Sequence, residues 1–172
     1  MKVITKTNRL IISKVTLKDA PFFTVLMNTP NWVKYIGDRN IKTIEEAEVH
    51  LKKGILKSYA TLGYGFYKVA LKSNQHTAIG ICGLVKRDEL EIPDIGFAML
   101  PNYEGQGYGY ESSIAVLELA KNTFGLSKIG AITLEVNTNS IKLLEKLDFS
   151  FEKKIKPFDD DEELLFFAKE LL

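Results

Sequence analysis

The chain opens with a change of apolar rhythm. RLIISKV, Arg9 to Val15, is short, rich in β-branched and aliphatic residues and bounded by polar ones, which predicts a strand. Directly after it, TLKD (Thr16 to Asp19) has capping-box spacing ahead of the apolar positions Phe22, Val25 and Leu26, so the strand feeds a helix. TIEE (Thr43 to Glu46) repeats that cap. Beyond it, Ile44, Ala47, Leu51 and Ile55 share one helical stripe, while Glu45, Glu48, Lys52 and Lys53 face water. Three strand-like runs follow, FYKVALK, TAIGICGLV and DIGFAML. The breaks between them, SNQH and KRDELEIP, are short and polar, which predicts an antiparallel meander.

The second half has a different order. PNYEGQGYGYESS (Pro101 to Ser113) runs into a helix expected over Tyr110 to Phe124. A strand AITLEV (Ala131 to Val136) and a helix SIKLLEKL (Ser140 to Leu147) come next. FSFEKKI and ELLFFAKEL, joined by KPFDDDE, close the chain as a hairpin. The pattern is one mixed α/β domain over residues 1–172, with no repeat and no linker-like tract.

Composition narrows the function. A chain of 172 residues, 45% of them hydrophobic, can bury a core. Its 23 Lys and Arg against 22 Asp and Glu leave a formal charge of +1, without the basic excess of a nucleic-acid binder. The lone Cys82 has no disulfide partner and reads as a buried strand residue. His50 and His76 make no metal-ligand cluster, so no metal is expected. No apolar run is long enough for a membrane span, and MKVITKTNRLIISKV lacks the apolar core of a signal peptide. A cytoplasmic protein, not membrane-bound, is the expectation.

Gly105, Gly107 and Gly109 raise the chemical question. Amides at a helix start have no intrahelical acceptor and sit at the positive end of the helix dipole, so stripping side chains there admits an anion such as a pyrophosphate. The alternative is a flexible turn. A Walker A loop is excluded because no Lys follows the glycines. A dinucleotide fingerprint is excluded because its last glycine is Tyr110 here and the preceding strands are antiparallel.

The stretch Glu104 to Gly109 resembles the Q/R-x-x-G-x-G/A motif of the GNAT superfamily of acetyl-CoA-dependent N-acetyltransferases. The likeness extends over TNRLIISKVTLKDA, AIGICGL, DIGFAMLPNYEGQGYGYES and NTNSIKLLEKLDF, and is nearest to the branch of ribosomal-protein-alanine (Rim-type) enzymes. That resemblance implies a mixed, mostly antiparallel sheet of about seven strands splayed between the fourth and fifth, with about four helices. It implies that Asp94 to Leu100 is the fourth strand. There the backbone of Phe97, Ala98 and Met99 would line the pantetheine arm and polarise the thioester. It implies that Gly105, Gln106, Gly107, Tyr108, Gly109 and Tyr110 cradle the pyrophosphate, with Asn137 beside the cofactor arm.

The resemblance further implies transfer of an acetyl group to a primary amine by direct attack. The acceptor is then a protein or peptide N-terminus, or else a small amine such as a polyamine, antibiotic or amino acid. A non-catalytic acyl-CoA sensor is the alternative outside the enzyme class. Many relatives place a Tyr where Leu144 stands, so Ser140 is the expected leaving-group donor; helix capping is the other reading of Asn137 and Ser140. Asp94 and Glu135 are the carboxylates expected to accept a proton through water. Trp32 and Tyr35, in NTPNWVKYIGDRN, are expected on the acceptor side, with plain core packing as the alternative. Glu104 departs from the motif and is expected to face solvent. Asp148 replaces a usual Gly where a left-handed turn is expected, and the run Asp159 to Glu163 reads as solvated. Either a monomer or a homodimer fits.

Overall fold

The computed structural model describes residues 1–172, the side chain of Gln75 excepted. The strands are β1 (Val3–Lys6), β2 (Leu10–Lys14), β3 (Phe66–Leu71), β4 (Ala78–Val85), β5 (Asp94–Met99), β6 (Lys128–Thr133), β7 (Ser150–Ile155) and β8 (Leu164–Glu170). They form one sheet in the order β1-β2-β3-β4-β5-β6-β8-β7. Neighbours are antiparallel everywhere except between β5 and β6, which run parallel. The expected seven strands are thus eight. β1 was missed because VITK is short and only half-buried, and it earns its place by pairing with β2 rather than by burial.

The helices are α1 (Ala20–Leu26), α2 (Pro30–Tyr35), α3 (Ile44–Leu51), α4 (Lys57–Leu62), α5 (Tyr108–Asn122) and α6 (Thr138–Lys146). A π turn, Lys52–Leu56, joins α3 to α4. Both expected caps form. The Glu46 carboxylate accepts from the Thr43 amide at 3.0 Å and the Thr43 hydroxyl accepts from the Glu46 amide at 3.1 Å. Asp19 accepts from the Thr16 amide at 2.8 Å. The stripe holds at Ala47, Leu51 and Ile55 but not at Ile44, and α1 buries Phe23 and Leu26 while Val25 faces solvent. α2 was not foreseen, although Pro30 at its first turn after Thr29 is a helix-start signal.

Two boundaries in the second half move. α5 starts at Tyr108 rather than Tyr110, because left-handed Gly107 (φ 84°) serves as its N-cap. It stops at Asn122, two residues before Phe124 and ahead of left-handed Gly125 (φ 65°). β6 covers Lys128–Thr133, not Ala131 to Val136: the Asn137 amide bonds back to the Leu134 carbonyl at 3.0 Å, a turn that takes Leu134, Glu135 and Val136 out of the sheet. Asp148 is left-handed (φ 63°), as its place after α6 suggested.

Strand alternation sends the sheet's two faces to two cores. Leu10, Ile12, Tyr67, Val69, Cys82 and Ile95 meet α5 and α6 through Val116, Ala120 and Leu144. Ile81 on the other face meets α1 and α3 through Phe23, Leu26, Ala47 and Leu51. A smaller cluster of Leu90, Phe166 and Ala168 lies beyond the parallel junction.

That junction is minimal. β5 and β6 share one register pair, Asp94 with Gly130, and one adjoining bond, from the Gly130 amide to the Pro93 carbonyl at 2.8 Å. Past Asp94 the strands part. The Leu100 amide donates to the Ile79 carbonyl at 2.7 Å, and antiparallel alternation then turns the peptide groups of Ala98 toward β4 and those of Phe97 and Met99 toward the gap. Gly130 has no room for a side chain, since a Cβ there would sit 2.8 Å from the Phe166 ring.

Candidate active site

The gap opens into a cleft of about 1030 Å³ walled by β5, the glycine loop, α6, α2, α3 and α4. At one end a single 3-10 turn, Pro101–Tyr103, delivers the chain into the glycine loop, where Gly105 (φ 70°) and Gly107 (φ 84°) are both left-handed. The amides of Gly105 through Tyr110 have no acceptor among the described residues. Six unpaired donors thus lie at the positive end of a 15-residue helix.

Arg9, which the sequence did not single out, holds this loop. Its Nε pairs with Glu111 at 2.7 Å, its Nη1 donates to the Gln106 carbonyl at 3.0 Å, and its guanidinium lies 4.3 Å from the centre of the Tyr108 ring. Glu111 also accepts from the Arg9 amide at 2.8 Å and the Thr7 hydroxyl at 2.6 Å. Partial burial opposes ionisation of Glu111, but these bonds outweigh it and hold the carboxyl below its usual value. Arg9 Nη2 has no partner among the described residues and lies 3.2 Å from where a Cβ on Gly107 would be.

The acidic residues of the loop are turned aside. Exposed Glu104 accepts from the Asn31 side chain of α2 at 3.0 and 3.1 Å, and Glu111 is taken by Arg9. On the far side Lys146 lies 4.3 Å over the Tyr110 ring. Unpaired amides, an unpartnered guanidinium nitrogen, a Glu111 neutralised by Arg9 and a Glu104 held aside by Asn31 fit the pyrophosphate of acetyl-CoA.

Across the gap, Asn137 caps α6, its Oδ1 accepting from the Ser140 amide at 3.2 Å. Capping and cleft placement turn out to be compatible: Asn137 and Ser140 both line the cleft, and the Ser140 hydroxyl has no partner among the described residues. Leu144, where relatives carry Tyr, is buried.

Where β5 and β6 part sits Asp94, 1% exposed. Arg87 Nε reaches its two oxygens at 3.1 and 3.3 Å. Burial outweighs the guanidinium and pushes the Asp94 carboxyl up to about 6, still ionised at neutral pH. Glu135 is not brought to the cleft. It is exposed beyond β6 and pairs with Lys154 at 3.4 Å.

Trp32 and Tyr35 of α2 line the opposite wall with His50 of α3. The indole N–H of Trp32 is buried and unpartnered among the described residues. Burial, with Arg39 adding to it, holds His50 below the usual histidine range and so neutral. Cys82 is fully buried on β4, its thiol pushed up to about 11 by burial, and it takes no part in the cleft. Arg9, Arg87, His50 and Arg39 escaped sequence reading because each sits at an element end or off the apolar stripes, and nothing local ties it to residues far along the chain.

A splayed sheet with an amide cradle at the head of the following helix defines an acyl-CoA-dependent acyltransferase. A family model described as an acetyltransferase (GNAT) domain matches residues 9–150. The chain belongs to the GNAT acetyltransferase family and is an acetyl-CoA-dependent acetyltransferase. Its relatives include YoaA, an uncharacterized N-acetyltransferase of Bacillus subtilis (strain 168), 25% identical over 157 residues that cover 90% of this chain and 87% of YoaA. Similar solved structures include a GNAT-family acetyltransferase from Bacillus anthracis (TM-score 0.79, 23% identity, 99% of each chain). Another is RimL, a ribosomal L7/L12 alpha-N-protein acetyltransferase in complex with coenzyme A (TM-score 0.80, 16% identity, 98% of each chain). No helix among the described residues is long and apolar enough to cross a membrane.

Proposed function

We propose that the chain acetylates the α-amino group of a protein or peptide, by direct attack of the amine on the thioester. The observation that carries this reading is the state of the cleft carboxylates: Asp94 is buried and held by Arg87 and Glu104 is bonded to Asn31, so neither is a strong base in direct reach of a charged amine, and a base acting through water suffices only for an amine that arrives largely neutral. An α-amine, with a pKa of about 7.7–8.0, is already roughly one-tenth neutral at pH 7, whereas a lysine amine at about 10.4 is almost wholly charged. The likeness to RimL, an α-N-protein acetyltransferase, supports the same reading.

Bound acetyl-CoA supplies an activated acetyl thioester. The loop amides of Gly105 to Tyr110 and the guanidinium of Arg9 hold its pyrophosphate, and the peptide groups of Phe97 and Met99 face its arm. A β5 N–H directed into the gap steadies charge developing on the carbonyl oxygen. The Ser140 hydroxyl donates to the departing sulfur, and Asn137 keeps α6 in place to present it. Asp94 accepts the amine's proton through a water, a demand that is small when the amine arrives neutral.

Competition between a free peptide α-amine and the ε-amine of an N-blocked lysine peptide tests the reading. At pH 7 the α-amine is expected to react about 200- to 400-fold faster, following the difference in neutral fraction. Equal rates, or preference for the ε-amine, would overturn it. In the same assay Ser140→Ala is expected to lower kcat by about 10- to 100-fold with little change in acetyl-CoA affinity, because a leaving-group contact acts in the transition state. An unchanged kcat would remove Ser140 from the mechanism.

A further inference from the structure

The cleft is more basic than the chain that forms it. Formal charge over the whole sequence is +1, yet Arg39, Lys57, Lys86, Arg87, Lys142 and Lys146 line the cleft against only two carboxylates, Asp94 and Glu104. Lys142 and Lys146 belong to α6, on the side of the glycine loop and donor. The other four stand on the acceptor walls. Two of these are already engaged, Lys86 with the carbonyls of Arg87 and Leu90 and Arg87 with Asp94. Arg39 and Lys57 form no ion pair among the described residues.

A second observation on the same wall points the same way. Trp32 lines the cleft and its indole N–H is buried without an acceptor among the described residues; burying a donor unpaired costs free energy that a ligand oxygen brought within reach would recover. Arg39 lines the same cleft as Trp32 and His50.

We propose that the acceptor is an acidic amino-terminal peptide, in which an Asp or Glu within the first few residues meets Arg39, Lys57 and the Trp32 indole N–H. The proposal rests on the α-amine reading above and adds a charge requirement to it. A polycationic amine would enter against unneutralised like charge and leave the indole donor unpaired.

Three peptide amides, identical except for acidic, neutral or basic residues at positions two to four, provide the test, with thiol release read at fixed acetyl-CoA. The acidic peptide is expected to exceed the basic one by at least ~10-fold in kcat/KM at low salt, with the margin shrinking as salt screens the pairs. Titration calorimetry of the acidic peptide into the free protein should give the tighter dissociation constant. Arg39→Glu is expected to cut the acidic-to-basic ratio at least ~10-fold while acetyl-CoA affinity, measured calorimetrically, stays the same. Equal rates for all three peptides, or a ratio untouched by Arg39→Glu, would overturn the charge requirement and leave the α-amine reading standing. If no peptide reacts and only small amines or polyamines do, both are overturned.

Discussion

Gly107→Val is expected to abolish measurable acetyl-CoA binding while the protein still folds. Gly107 is left-handed, where a non-glycine residue costs about 1–2 kcal/mol. That is a few degrees of melting temperature for a domain of this size, not loss of the fold. The larger effect is on the cradle. A Cβ at this position lies 3.2 Å from Arg9 Nη2, so a branched side chain displaces the guanidinium and stands in front of the unpaired amides. A rise of at least ~100-fold in the dissociation constant, about 2.7 kcal/mol, is the expected calorimetric result. Thermal melts with and without ligand should then coincide for the variant and separate for the parent chain. Undiminished affinity would mean that the pyrophosphate lies elsewhere. Gly107→Ala keeps the backbone strain but adds only a methyl group, so a smaller loss of affinity from it would separate the two causes.

Arg87→Ala should give the second large effect, and one that depends on pH. Removing the guanidinium leaves a carboxylate that is 1% exposed without its partner. Breaking a buried pair costs about 3–5 kcal/mol; the 28% exposure of the Arg87 side chain lowers the expectation to about 2–3 kcal/mol at pH 8. In the parent chain the folded Asp94 titrates at about 6, above its ordinary 3.8, so the folded state holds that proton more tightly. The resulting contribution to stability is complete below ~3.8 and is lost as pH rises through ~6. Without Arg87 the carboxyl titrates still higher. Below ~pH 6 both folded states hold the proton and the two proteins differ little; the deficit therefore opens as pH rises above ~6 toward pH 8. Denaturant unfolding at pH 4, 6 and 8 measures it, and a deficit independent of pH would show that Arg87 acts through packing alone. Because Asp94 would then be protonated at neutral pH, acetylation by the variant should also require more alkaline conditions than that by the parent chain.

The readable parts of this molecule are those whose cause is local. Capping boxes at Thr16 and Thr43, the alternating runs of β3 to β5 and the closing hairpin each carry their signal within a few residues, and each stands where it was expected. The glycine loop was legible as a bare stretch ahead of a helix, because its left-handed turns at Gly105 and Gly107 favour glycine and the signal lies within a few residues. β1 and α2 were not legible: one is four residues long, and the other begins after a Thr-Pro step inside a stretch with no apolar period. AITLEV looked like a strand to its end because Leu134 and Val136 are strand formers. The turn that removes them depends on α6 being capped at Asn137, a constraint from the next element. The site was half-visible for the same reason. Ser140, Asn137 and Asp94 stand on elements whose patterns are clear, whereas Arg9 and Arg87 matter only for the distant carboxylates they meet, and Glu135 was drawn toward the site by a strand that ends two residues before it.

Arg9 and Glu111 stand 102 residues apart in sequence. Closing so long a loop has an entropic cost that no local interaction offsets, so the cradle takes shape only after β2 and α5 have met. Donor binding therefore reports on completed tertiary assembly. With the proposed cradle as the coenzyme site, a nascent chain still lacking α5 would bind no donor, and a mature chain whose first strand pair frays would lose affinity for it while most of its helices and strands remain intact.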